Sequence, residues 1–149
     1  GIPIGAALVG EHVAAQIFAG DHGTTYGGNL LSTRAALYVL DQLDALAPNI
    51  REMGALFEQR LRDLQRQHPV IAEVRGAGLM RGLELAVDAQ PVVEAALKAG
   101  LLVNRTAERV VRMLPPLTVS AAEIEEAITI LDGALASVKV ERSAAEVKA

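Results

Sequence analysis

The chain has 149 residues, of which 51% are hydrophobic and 3% aromatic, and its 14 basic and 18 acidic side chains give a net charge of −4. This composition supports a packed core and excludes a disordered chain; it supplies neither the basic stripe nor the aromatic platform of a nucleic-acid binder. Cysteine is absent, which excludes disulfides and thiolate metal sites, and His12, His22 and His68 never stand at ligand spacing.

Charges interrupt every apolar run before it reaches the length of a membrane span. The opening "GIPIGAALVG" has neither a Met nor a basic leader. It reads as the interior of a larger fold rather than as a signal peptide. Within it, the run Ile4 to Val9 predicts a short strand covered on both faces. A short helix is expected over Glu11 to Phe18. The turn "HGTTYGGN" follows, and from Asn29, a good N-cap, apolar residues recur at helical spacing to Leu43.

Pro48 is expected to interrupt that helix. A second helix, about Ile50 to Gln67, places Met53, Leu56, Phe57, Leu61 and Leu64 on one face. Arg60, Arg62, Asp63 and Arg66 lie off that face, as solvated charges. His68-Pro69 ends it, because a residue before proline avoids helical angles. The period then changes. Val70 to Arg75 and Leu79 to Val87 predict two strands around a Gly76-Ala77-Gly78 turn. Pro91 to Ala99 predicts a helix with Gly100 at its end. Leu101 to Val103 and Val110 to Met113 predict two more strands, the second stopped by Pro115-Pro116. Ser120 caps a last helix, Ala121 to Ser137, whose Glu123, Glu125 and Glu126 favour its positive end. The final dozen residues read as a frayed polar tail. From about residue 70 the order is β-β-α-β-β-α.

Two places carry chemistry. In "HGTTYGGN", Gly23, Gly27 and Gly28 allow close backbone approach, and Thr24 and Thr25 offer hydroxyl donors. Asn29 opens a helix whose first amides point back at the loop, as an anion site requires. A turn with an ordinary cap is the equal alternative. Arg112 is the second place. A guanidinium in the apolar run Val110 to Leu114 must find a partner or reach water, and it suits a ligand carboxylate or an internal salt bridge. Other matches fail. Gly76-Ala77-Gly78 lacks the third glycine of a dinucleotide loop, that position being Arg81, and it precedes a strand. Asn104-Arg105-Thr106 matches a glycosylation acceptor by chance. His12 and His68 read as helix-surface residues.

Taken together, "GIPIGA", "DHGTTYGGN", "EVRGAGLMRGLEL" and "GLLVNRTAERVVRMLPPLTVS", in this order, resemble the C-terminal portion of class III pyridoxal-phosphate aminotransferases. Within that family the likeness is greatest to the acetylornithine aminotransferases. The resemblance implies an α/β architecture of fold type I. Residues 1 to 45 would be the end of the large cofactor-binding domain, 46 to 69 a connector helix, 70 to 138 the small C-terminal α/β domain, and 139 to 149 a tail. It implies pyridoxal 5'-phosphate as cofactor and a cytoplasmic homodimer with active sites at the subunit interface. By the same resemblance, Thr25 would bind the phosphate of the partner subunit's cofactor, Thr24 would lie against substrate, and Arg112 would bind a substrate carboxylate. The implied reaction moves an amino group from N-acetylornithine to 2-oxoglutarate, in arginine biosynthesis. The family's Schiff-base lysine precedes the segment that begins this chain, and Lys98, Lys139 and Lys148 sit in other settings. The expectation is a chain inactive by itself. Succinylornithine, ornithine and 4-aminobutyrate remain alternative donors. A non-catalytic dimerisation module and a phosphate-binding regulator are the alternative classes.

Overall fold

The computed structural model describes residues 2–137. The elements in order are α1 (Glu11–Ala14), α2 (Leu30–Gln67), β1 (Ile71–Ala77), β2 (Met80–Leu85), α3 (Gln90–Lys98), β3 (Asn104–Thr106), β4 (Val110–Met113) and α4 (Ala121–Ala136). The chain divides into two compact units, Gly1–Ala45 and Leu46–Ala149.

The first unit holds α1 and the beginning of α2. The run Ile4 to Val9 forms no strand, which corrects the sequence expectation. A strand needs a neighbour to take its N–H and C=O groups, and the residues around this run are exposed. The helix expected to Phe18 stops at Ala14. Four residues make a single turn, far below the length at which a helix holds by itself.

Asn29 caps α2 as its side chain predicts. Its Oδ1 accepts from the Ser32 amide at 3.0 Å, and the Thr33 amide donates to its carbonyl at 2.9 Å. Pro48 does not interrupt the helix, which runs unbroken for 38 residues. Proline removes one helical hydrogen bond, but neighbouring contacts hold the segment. Asn49 Nδ2 donates to the Leu117 carbonyl at 2.9 Å and the Val119 carbonyl at 3.2 Å. One turn on, Met53, Phe57, Leu61 and Leu64 are buried. The expected end at Gln67 is observed.

In the second unit an antiparallel sheet of order β1-β2-β4-β3 packs one face on the helices. Val74, Leu83 and Val111 stand opposite one another across three strands and are all buried. The inward residues join Phe57 and Leu61 of α2, Val92 and Ala96 of α3, and Ile124, Leu131 and Leu135 of α4 in one core. The order β-β-α-β-β-α is as the sequence predicts.

Several boundaries differ from the expected ones. Ala77 pairs with Met80, so the hairpin turns at Gly78-Leu79 rather than over Gly76 to Gly78. Gly76 is required in the strand: φ is +134°, and a Cβ there would overlap the Met80 carbonyl oxygen. The second strand ends at Leu85, two residues early. The strand expected over Leu101 to Val103 is not formed, and β3 is Asn104–Thr106 instead, because the Leu101 amide donates to the Ala96 carbonyl at 2.9 Å and closes α3 around Gly100. The Ser120 cap is a full capping box. Ser120 Oγ accepts from the Glu123 amide, and Glu123 Oε2 accepts from the Ser120 amide at 2.8 Å. The tail expected over 139–149 lies outside the described residues.

Candidate functional site

Thr24 and Thr25 lie in the turn before α2. The Gly27 amide donates to the Thr24 carbonyl at 3.2 Å, and the Asn29 amide to the Tyr26 carbonyl at 3.2 Å. Gly28 takes φ +69°, a conformation that favours glycine. A Cβ on Gly27 would come within 2.8 Å of Thr24 Oγ1, so the glycine leaves that hydroxyl its place. Among the described residues neither threonine hydroxyl makes a hydrogen bond. The Leu30 and Leu31 amides, first in α2, have no partner either.

Thr24, Gly28, Asn29 and Ser32, with Pro3 and Ile4, line an open hollow of about 590 Å³. Thr25 is exposed and is not part of its lining. Of the free hydroxyls and amides only the Thr24 hydroxyl faces the hollow, while the Thr25 hydroxyl and the Leu30 and Leu31 amides stand in the turn and first residues of α2 beside it. Hydroxyls that can donate, next to a helix N-terminus, suit an oxyanion such as a phosphate. His22 stands beside this turn, exposed.

Arg112 lies in the second unit, on β4, opposite Gly82 of β2 and Asn104 of β3. It is exposed, between buried Val111 and Met113. No carboxylate lies within 4.0 Å of it among the described residues, so the internal salt bridge left open by the sequence is not formed. The fork is free to take a ligand carboxylate.

Residues 1–135 match the family described as aminotransferase class III. The chain belongs to this family. As a class III aminotransferase chain, it is 44% identical over 131 residues to the acetylornithine aminotransferase of Aquifex aeolicus (strain VF5), covering 88% of this chain and 34% of that protein. It is 46% identical over 143 residues to the acetylornithine aminotransferase of Thermosynechococcus vestitus, covering 91% and 34%. Among solved structures, an amine transaminase from an uncultivated Pseudomonas species, in its pyridoxal-phosphate-bound form, superposes with a TM-score of 0.69 at 32% identity, over 79% of this chain and 30% of that one. The chain thus spans about a third of the length of these relatives. Their fold class, α/β, is that expected from the sequence.

Several residues of this class III aminotransferase chain escaped the sequence reading. Arg81 is 6% exposed, and its guanidinium donates to the carbonyls of Gly78 at 2.9 Å, Gly76 at 3.3 Å and Gly54 at 3.1 Å. It also pairs with Glu58 at 2.9 Å. The Arg62 hydrogen bond, then the Arg81 charge, hold the Glu58 carboxyl below its ordinary value. Arg81 shares the inward side of β2 with Leu83 and Leu85, and that alternation was the available signal.

Asp88 accepts from the Arg105 guanidinium at 2.9 and 2.8 Å and from the Gln90 amide at 2.7 Å, and its carboxyl is held below the ordinary range chiefly by Arg105. The charges on α2 are paired rather than simply solvated: Arg60 with Glu125 at 2.7 Å, Arg62 with Glu58 at 2.7 Å, and Arg66 with Asp63. His68 is also more than a surface residue, its Nε2 meeting Asp132 Oδ1 at 2.6 Å.

Proposed function

We propose that this chain serves as the C-terminal part of a pyridoxal-phosphate-dependent aminotransferase that moves an amino group from N-acetylornithine to 2-oxoglutarate, a step of arginine biosynthesis. The observation that carries the reading is the family match over residues 1–135, which includes both the threonine loop and Arg112. Relatives at 39% to 46% identity that are acetylornithine aminotransferases support the choice of donor. In this reading residues 1–45 close the large domain, 46–69 connect, and 70–138 form the small domain.

Bound pyridoxal phosphate would supply the electron-withdrawing ring that eases loss of the donor's proton. The protein's own residues do the positioning. Thr25 Oγ1 donates to a phosphate oxygen of the cofactor held by the partner subunit of a homodimer. Thr24, against substrate, closes the hollow beside it. Arg112 takes a substrate carboxylate in its fork and fixes the orientation of the reacting carbon, where a small displacement costs much rate. Lys98, at the exposed end of α3, has no part in this scheme.

The test is a chimera in which residues 1–135 replace the matched segment of the Aquifex aeolicus relative. Glutamate formation from N-acetylornithine and 2-oxoglutarate is expected. Arg112→Ala should raise the KM of the carboxylate substrate roughly 100-fold, the scale of a lost charge-paired hydrogen bond. A soluble, cofactor-loaded chimera that ignores N-acetylornithine would refute the donor. A KM indifferent to the substitution would remove Arg112 from the site.

A further inference from the structure

The ladder of the sheet places four residues in one row: Arg75 on β1, Gly82 on β2, Arg112 on β4 and Asn104 on β3. Directly opposed residues share a face. This row therefore lies on the face away from the core, and Arg75, Arg112 and Asn104 are all exposed. The two arginines are not equivalent. Arg75 is neutralised by Glu84 at 3.0 Å, whereas Arg112 has no acidic partner among the described residues. The uncompensated charge of the row therefore sits at its β3–β4 end.

The side chain facing Arg112 there is a neutral amide. Cross-strand neighbours stand about 4.5–5.5 Å apart at Cβ, so Asn104 and Arg112 can reach one small ligand group. The Asn104 amide makes no hydrogen bond among the described residues. Arg112 can donate two parallel hydrogen bonds to a carboxylate, whose remaining lone pairs stay open to a third donor. An acid at 104 would instead capture the guanidinium and close the site.

We propose that Asn104 is a second ligand for the carboxylate that Arg112 binds, its Nδ2–H donating beside the arginine fork. Its neutrality leaves that fork free for an anionic substrate. This rests on the assignment of Arg112 to the substrate carboxylate, and it adds a residue that selects for a carboxylate at that position.

The experiment is titration of the ¹⁵N-labelled chain with glutarate, an unreactive dicarboxylate, following the Asn104 side-chain amide and Arg112 Nε–H. Both signals should move along one saturation curve. Asn104→Ala should weaken binding about tenfold, the scale of a hydrogen bond to a charged group. Asn104→Asp should weaken it further, by pairing with Arg112 and repelling the ligand. Asn104→Thr, suited to an edge strand and still a donor, should fall between wild type and Asn104→Ala, which separates ligand contact from strand stability. If Arg112 moves while all three variants bind as wild type, the Asn104 assignment is wrong and the Arg112 assignment stands. If neither signal moves, or Arg112→Ala leaves the curve unchanged, both assignments fall.

Discussion

Arg81 shows how one side chain can fix a local fold. Its guanidinium gathers three backbone carbonyls from α2 and the β1–β2 hairpin. Those carbonyls are close because two glycines meet there: a Cβ on Gly54 would lie 3.0 Å from the Gly78 carbonyl oxygen. Arg81→Met keeps much of the apolar stem but strands the carbonyls. We expect it to lower stability by about 3 kcal/mol, read as the midpoint of urea unfolding; a loss within experimental error would show that water replaces the guanidinium freely. The residue's role was hidden in the sequence because Gly54 lies 27 positions away. Asn29 and Ser120 were legible for the opposite reason, since each caps a helix through amides three residues on.

At the scale of elements, what could be read was what local chemistry decides. The hairpin, α3 with its terminal Gly100, and α4 with its cap all follow from short-range signals. The long helix did not, because Asn49 and the buried stripe beyond Pro48 hold through contacts with residues far along the chain. The strand β3 was misplaced by three residues because a helix-closing hydrogen bond takes the Leu101 amide first.

These local devices also set the acid response. Glu123 is held below its ordinary value of 4.5, chiefly by the Ser120 amide, and Asp88 below 3.8, chiefly by Arg105. A carboxyl whose folded value is depressed stabilises the fold above its unfolded value and loses that contribution as pH falls through the folded one. The thermal midpoint should therefore decline as pH drops below about 4.5. The double variant Asp88→Asn, Glu123→Gln should start lower at neutral pH and decline less steeply. A double variant with the wild-type acid slope would show that these two carboxyls contribute nothing to it.

Across the whole molecule, the two units differ in what they bury. The core lies wholly from Met53 onward, and no described residue before it is buried. Leu8, Phe18, Tyr26 and Leu30 are 99%, 69%, 83% and 85% exposed. Apolar side chains left on the surface in such number mark an interaction surface or an aggregation liability. Deleting residues 1–28 should therefore raise solubility and leave residues 70–137 folded, as seen by dispersed methyl resonances; collapse of those resonances would show that the second unit depends on the first. The four motifs made the family legible in the sequence, as did the β-β-α-β-β-α order. The state of Ile4 to Val9 was not legible, because strand formation depends on neighbours that the run itself does not specify.

Binding of the cofactor phosphate by the threonine turn is tested most directly by the cofactor's dissociation constant in the chimera with and without Thr25→Val. Loss of one hydrogen bond to a charged phosphate should raise that constant about tenfold and shift the cofactor's ³¹P resonance. An unchanged constant with an unmoved resonance would contradict it.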